Sequence, residues 1–100
     1  MELNRIKGKI AFISGASSGI GKAVAEKLAQ MGVNLILCAR RAEVLAELKN
    51  QLEKEHAIEV ITLAFDVRNY QEVAKNIQSL PEKWRQIYLL QHTLKKYLLP

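Results

Sequence analysis

The sequence predicts an α/β fold: a partial, Rossmann-type, doubly wound parallel sheet in three layers, with elements in the order β-α-β-α-β-α-β. Three observations predict it. Short, unbroken apolar runs rich in Ile, Leu and Val alternate with runs whose apolar residues recur every three or four positions. The connections between these runs are short. Crossovers between parallel strands are right-handed, so this alternation winds helices onto both faces of one sheet.

Leu3 to Gly8 reads as a polar lead-in, and Lys9 to Ser14 carries the first strand, whose apolar centre Ile10 to Ile13 suits cover on both faces. The run from Ile20 to Met31 is the first helix, with Ile20, Val24, Leu28 and Met31 expected on its packed face. Gly32 follows where a left-handed cap is needed. Asn34 to Ala39 is a second buried strand, and a helix from about Ala42 to Glu55 turns Leu45, Leu48 and Leu52 inward. Ile58 to Phe65, rich in β-branched residues, is the third strand and ends at Asp66. Asn69 can cap a third helix carrying Val73, Ile77 and Leu80, which must stop near Pro81. A fourth strand is expected from about Gln86 to Leu90. In the tail after it, Leu94, Leu98 and Leu99 would share one face of a helix.

A chain of 100 residues bounds the answer to one small domain with a modest core. Apolar residues at 49% and charged residues at 25% are those of an ordinary soluble globular protein. No apolar run approaches the ~20 residues of a membrane span, and Met1 to Lys7 lacks a signal peptide's apolar centre, so a cytoplasmic protein is expected. The single cysteine, Cys38, lies within an apolar run and reads as a small core residue in a reducing compartment. The net charge of +5 is concentrated in the last nineteen residues, where Lys83, Arg85, Lys95 and Lys96 outnumber Glu82. The remaining cations are dispersed among acidic neighbours without interleaved aromatics, which argues against nucleic acid as a partner.

The first strand and first helix are joined by Ser14-Gly15-Ala16-Ser17-Ser18-Gly19-Ile20-Gly21. Its glycines have complementary uses: Gly15 lets the chain turn sharply, Gly19 admits close approach of a phosphate, and Gly21 lets the new helix pack against the strands. The amides that open the helix, from Ser17 through Ile20, then face an anion favoured by the helix dipole. The spacing is G-x-x-x-G-x-G, distinct from the G-x-G-x-x-G dinucleotide fingerprint.

This stretch resembles the cofactor-binding motif of the short-chain dehydrogenase/reductase family, T-G-x-x-x-G-x-G, with Ser14 keeping the hydroxyl of the commoner Thr. The resemblance covers roughly Lys7 to Ile87. It implies strand order 3-2-1-4 and an oxidoreductase moving a hydride between a nicotinamide cofactor and a small hydroxy or keto substrate. In dinucleotide folds a carboxylate about 20 residues beyond the glycine loop binds the ribose hydroxyls, whereas an arginine accommodates the extra phosphate of NADP. Ala39 stands where that carboxylate would be and Arg40 and Arg41 follow, which favours NADP over NAD. The other reading of the two arginines is a solvated pair at a helix start, where cations are unfavourable unless an anion offsets them. Asp66 and Val67 resemble the family's Asp-Val pair beside the adenine, although Asp66 also suits an ordinary turn after a strand. Leu80-Pro81-Glu82-Lys83-Trp84 is similar to family members that oxidise 3-hydroxy acids such as serine or threonine with NADP; a core tryptophan after a helix stop explains Trp84 equally well.

Past Ile87 the likeness is expected to fail, because His92, Thr93, Leu94 and Lys95 occupy the places of the family's Asn-Asn-Ala-Gly. Residues 1–87 are thus read as an NADP-binding half-domain and 88–100 as a divergent tail. No catalytic residue is assigned: four positions after Tyr70 is Ala74, after Tyr88 is His92, and Tyr97 has no fourth successor, so the family's Y-x-x-x-K pair is not here. His56 and His92 lack partners at metal-ligand spacing. Three readings stay open: the cofactor-binding part of an NADP-dependent dehydrogenase that is inactive alone, a non-catalytic nucleotide-binding module, and a small basic interaction protein. The fourth strand, at a sheet edge, is expected to invite self-association.

Overall fold

The structure is a computed structural model and describes residues 6–17, 19–66 and 69–91 of the chain. Its elements are β1 (Ile10–Ser14), α1 (Gly19–Gln30), β2 (Asn34–Ala39), α2 (Ala42–Glu55), β3 (Val60–Ala64), α3 (Tyr70–Gln78), α4 (Glu82–Arg85) and β4 (Leu89–Gln91). The strands form one parallel four-stranded sheet in the order β3-β2-β1-β4, so the expected α/β class and strand order are those observed.

Register explains why β1 and β2 are apolar throughout. Phe12 lies beside Ile36, and Ile36 beside Ile61, while one residue earlier Ala11, Leu35 and Val60 form a second row. Side chains alternate across a sheet, so the two rows face opposite ways. Ala11, Leu35 and Val60 pack with Ala25 and Ala29 of α1 and with Leu45, Leu48 and Leu52 of α2. Phe12, Ile36 and Cys38 pack with Val73 of α3 and Trp84 of α4. The result is a sheet covered on both faces.

Three local features follow directly from residue type. Val33 donates its amide to the Leu28 carbonyl at 3.1 Å and Gly32 to the Ala29 carbonyl at 3.0 Å, with Gly32 at φ 80°. That is a Schellman closure, and it requires a left-handed residue at Gly32. Asn69 caps α3 by accepting from the Glu72 amide at 3.1 Å. α2 keeps its expected bounds because Leu45, Leu48 and Leu52 lie along one buried line.

The structure differs from expectation in four places. The packed line of α1 is Gly21, Ala25 and Ala29; Val24, Leu28 and Met31 flank it, and Ile20 is 77% exposed. Small residues let the helix approach the sheet closely, which moves the larger stripe to the flank and leaves Ile20 in solvent. β3 is shorter than Ile58 to Phe65. Glu82–Arg85 forms the extra helix α4, begun by Pro81, whose carbonyl accepts from the Trp84 amide at 2.8 Å. Gln86 caps that helix, so β4 begins only at Leu89, after Tyr88 has donated to the Ile10 carbonyl at 2.8 Å; Gln91 is strand and not tail. The tail positions His92, Leu94, Lys95, Leu98 and Leu99 lie outside the described residues.

Candidate functional site

The C-terminal ends of three adjacent strands are stitched together by backbone hydrogen bonds. Beyond β1, Ala16 donates its amide to the Cys38 carbonyl of β2 at 3.2 Å. Beyond β3, Phe65 donates to the Ala39 carbonyl at 3.1 Å, and Asn69 to the Asp66 carbonyl at 3.1 Å. The segments that carry the sequence-predicted site residues therefore emerge side by side, at the end of a parallel sheet where ligands of such folds bind.

The turn into α1 divides its glycines by use. Gly15 and Gly19 have φ of 64° and 61°, and a β-carbon on either would meet no atom within 4 Å. Both backbones are left-handed, and the space beside them is open. Gly21 is buried, and a β-carbon there would lie 2.7 Å from the Gly15 carbonyl carbon. Gly21 thus lets α1 rest directly on the turn. The first turn of α1 carries no acidic residue to compete for its free amides. Ser17 is half-buried and, with Lys22 and Glu47, lines a small cleft of about 80 Å³ between α1 and α2. Ile20 stands exposed beside the turn. Ser18 lies outside the described residues.

Arg40 and Arg41 are both exposed between β2 and α2. Arg41 is the N-cap residue of α2 with φ −98° and makes no side-chain cap, while its carbonyl accepts from the Leu45 amide at 3.2 Å. Neither guanidinium forms an ion pair among the described residues. Two cations at a helix N-terminus are electrostatically unfavourable without an anion, and the first turn of α2 carries one carboxylate, Glu43, against the two. Asp66 is half-buried just beyond β3 and has a partner within the fold; Val67 lies outside the described residues.

Cys38 and Ala16 are buried at the same end of the sheet, Ala16 in the core on the α1 and α2 side and Cys38 in the core on the α3 side. Burial pushes the Cys38 thiol up to about 12; a hydrogen bond with the Phe65 backbone opposes the shift and the negative charge of Asp66 adds to it. The thiol is therefore a neutral core group. Ala16, fully buried, is the position that motif reading left out of the site; it ties the turn to β2 through its amide, and a backbone bond leaves no signal in residue type. A larger cleft of about 650 Å³, lined by Lys9, Asn34, Lys83 and Tyr88, opens at the opposite strand ends, away from the glycine turn. Among the described residues no group of His, Cys, Asp or Glu could hold a metal ion, and no helix is long and apolar enough to cross a membrane.

Both the sequence and the fold of this chain have counterparts among known proteins. The short chain dehydrogenase family profile matches residues 9–93, six positions past the Ile87 at which the likeness was expected to fail. An NADP-dependent 3-hydroxy acid dehydrogenase of Schizosaccharomyces pombe is 38% identical over 89 residues, covering 88% of this chain and 34% of that relative. The crystal structure of L-sorbose reductase from Gluconobacter frateurii, complexed with NADPH and L-sorbose, superimposes with a TM-score of 0.80 at 33% identity, covering 90% of this chain and 34% of that one. A short chain dehydrogenase/reductase from Burkholderia phymatum in complex with NAD gives 0.76 at 35% identity, covering 85% of this chain and 30% of that one. The chain thus spans about a third of the length of these relatives. With the fold, the motif and the profile in agreement over most of its length, the chain belongs to the short-chain dehydrogenase/reductase family.

Proposed function

We propose that this chain is the NADP-binding N-terminal portion of an oxidoreductase that moves a hydride between NADP and a small hydroxy or keto substrate, with a 3-hydroxy acid favoured by the S. pombe relative's name and by the Leu80-Pro81-Glu82-Lys83-Trp84 stretch. The observation that carries this reading is the open space beside Gly19 at the start of α1, with two guanidiniums, unpaired among the described residues, one strand away. The residues fit such a cofactor. The amides of Ser17 and Ser18 in the turn, with those of Gly19 and Ile20 that open α1, would receive the pyrophosphate, and Gly15 and Gly21 shape the turn that presents them. Arg40 and Arg41 would hold the 2′-phosphate, since a guanidinium can grip it through two hydrogen bonds. Asp66 would accept from the adenine amine, and Val67 would cover the ring. When bound, NADP supplies or accepts the hydride; the residues of this chain bind and orient it.

In this proposal the nucleotide-binding unit runs past residue 87 through β4, because Leu89–Gln91 pair with β1. The 100 residues hold no Y-x-x-x-K pair, so the chain alone is without turnover; general acid/base groups of that kind contribute about 10²–10⁴-fold to rate. β4 occupies a sheet edge, and self-association is proposed there.

Calorimetry with NADP and NAD tests the reading. Arg40→Asp should weaken NADP at least about tenfold, as loss of a charge-assisted hydrogen bond does, and should affect NAD much less. Equal loss for both removes Arg40 from the phosphate site; no binding of either nucleotide by the native chain removes the proposal.

A further inference from the structure

The other edge of the sheet is β3, and its peptide groups alternate in direction. Glu59 turns its carbonyl toward β2, where the Leu35 amide donates to it at 3.0 Å, and Phe65 turns its amide toward the Ala39 carbonyl at 3.1 Å. By alternation Val60, Thr62 and Ala64 turn theirs to the free side. Edges of this kind are templates for strand addition, and a contact of β3 with β3 in a second copy would be closed and symmetric.

Val60 does not present a free edge. The Lys49 ammonium donates to its carbonyl at 2.7 Å, and its amide donates to the Glu53 carboxylate at 2.9 Å. Lys49 also donates to that same carboxylate oxygen at 2.9 Å. Two side chains one turn apart on α2 thus occupy both hydrogen-bonding groups that a neighbouring strand would use. Their side chains are 35% and 33% exposed, so the ion pair itself contributes little; its consequence lies in the two charge-assisted bonds to backbone.

We propose that the Lys49–Glu53 pair is an edge lock that closes β3 to strand pairing with a second copy of this chain. The lock is placed at Val60, the first residue of the strand, where pairing would have to start if it were to run the length of β3. It is independent of the nucleotide reading and needs no ligand.

Amide exchange and light scattering on the full chain test it together. Glu53→Ala should speed exchange of the Val60 amide by about tenfold or more, as expected for losing a bond to a charged acceptor, and Glu53→Gln, which keeps an acceptor, should speed it less. The double variant Lys49→Ala/Glu53→Ala should gain mass with concentration beyond the native chain, with new protection of the Thr62 amide; association through β4 is common to both proteins and cancels. If the alanine variants fail to fold, Lys49→Met with Glu53→Leu, which keeps side-chain volume and removes both polar partners of Val60, supplies the same comparison. Unchanged Val60 exchange, or exchange that rises without added mass and Thr62 protection, overturns the proposal.

Discussion

Gly21 rests on the carbonyl group of Gly15: a β-carbon at Gly21 would fall 2.7 Å from the Gly15 carbonyl carbon and 3.0 Å from the Ser14 carbonyl oxygen. The neighbours are backbone atoms at the end of the central strand, which cannot rotate aside as a side chain can. The turn and the helix are therefore fitted to each other at one point. Gly21→Ala should lower stability by about 1–3 kcal/mol, the usual cost of forcing extra volume into a packed site, despite alanine's better helix propensity. Denaturant unfolding measures it, and a variant as stable as the native chain would mean that the turn shifts freely.

Gly19 calls for a different substitution, because the space beside it is open and only its φ of 61° disfavours a side chain. Gly19→Val should cost about 1–2 kcal/mol in backbone strain, leave the far-ultraviolet circular dichroism almost unchanged, and abolish nucleotide binding in calorimetry. Binding that survives would show that phosphate does not approach this residue.

Trp84 is 7% exposed and packs with Ile10, Phe12, Ile36, Cys38 and Val73 on the α3 side of the sheet. Trp84→Ala should cost about 3–5 kcal/mol, a large part of the ~5–15 kcal/mol that holds a domain together, and its unfolding midpoint by circular dichroism should fall sharply. Trp84→Phe should fold and lose less. A folded, fully stable Trp84→Ala would mean that α4 is not part of the core.

Cys38 makes stability depend on alkaline pH. Its thiol is raised from 9.0 to about 12 in the fold, so the stabilising neutral form is fully present below pH 9 and its contribution is lost as pH rises toward 12. Unfolding curves of the native chain and Cys38→Ala should therefore converge across that window, and the thiol should resist alkylation until the chain unfolds. Rapid labelling of the folded protein at pH 8 would contradict the buried position.

Glu53 acts at the acidic end. Its hydrogen bond with Lys49, followed by that from the Val60 amide, holds the carboxyl below its ordinary value of 4.5 against the opposing effect of burial. A lowered carboxyl contributes stability above its unfolded value and loses it as pH falls through the folded one. Glu53→Gln should flatten the loss of stability below about pH 4.5 relative to the native chain; identical acid profiles would mean that the carboxylate's bonds add nothing.

Residue type and spacing determined the four strands, the three longer helices, their order and the end of the sheet at which the site residues gather, but not the short helix α4. Apolar runs, the left-handed Gly32 and the capping Asn69 express preferences local to a few residues, and such preferences are legible without the fold. Gly15, Ser17, Gly19, Arg40 and Asp66 could be placed at strand ends for the same reason. Tertiary structure decided what local preference cannot contain. The close approach of α1 through Gly21, Ala25 and Ala29 turned Ile20 outward although its spacing put it on the apolar stripe. The bond from Ala16 to Cys38 joins residues that no periodicity relates, and the ordinary-looking Lys49 and Glu53 pair acquired its role only when β3 brought Val60 against it. Each of these depends on which backbone atoms lie across a gap, and that is fixed by packing between elements distant in the chain.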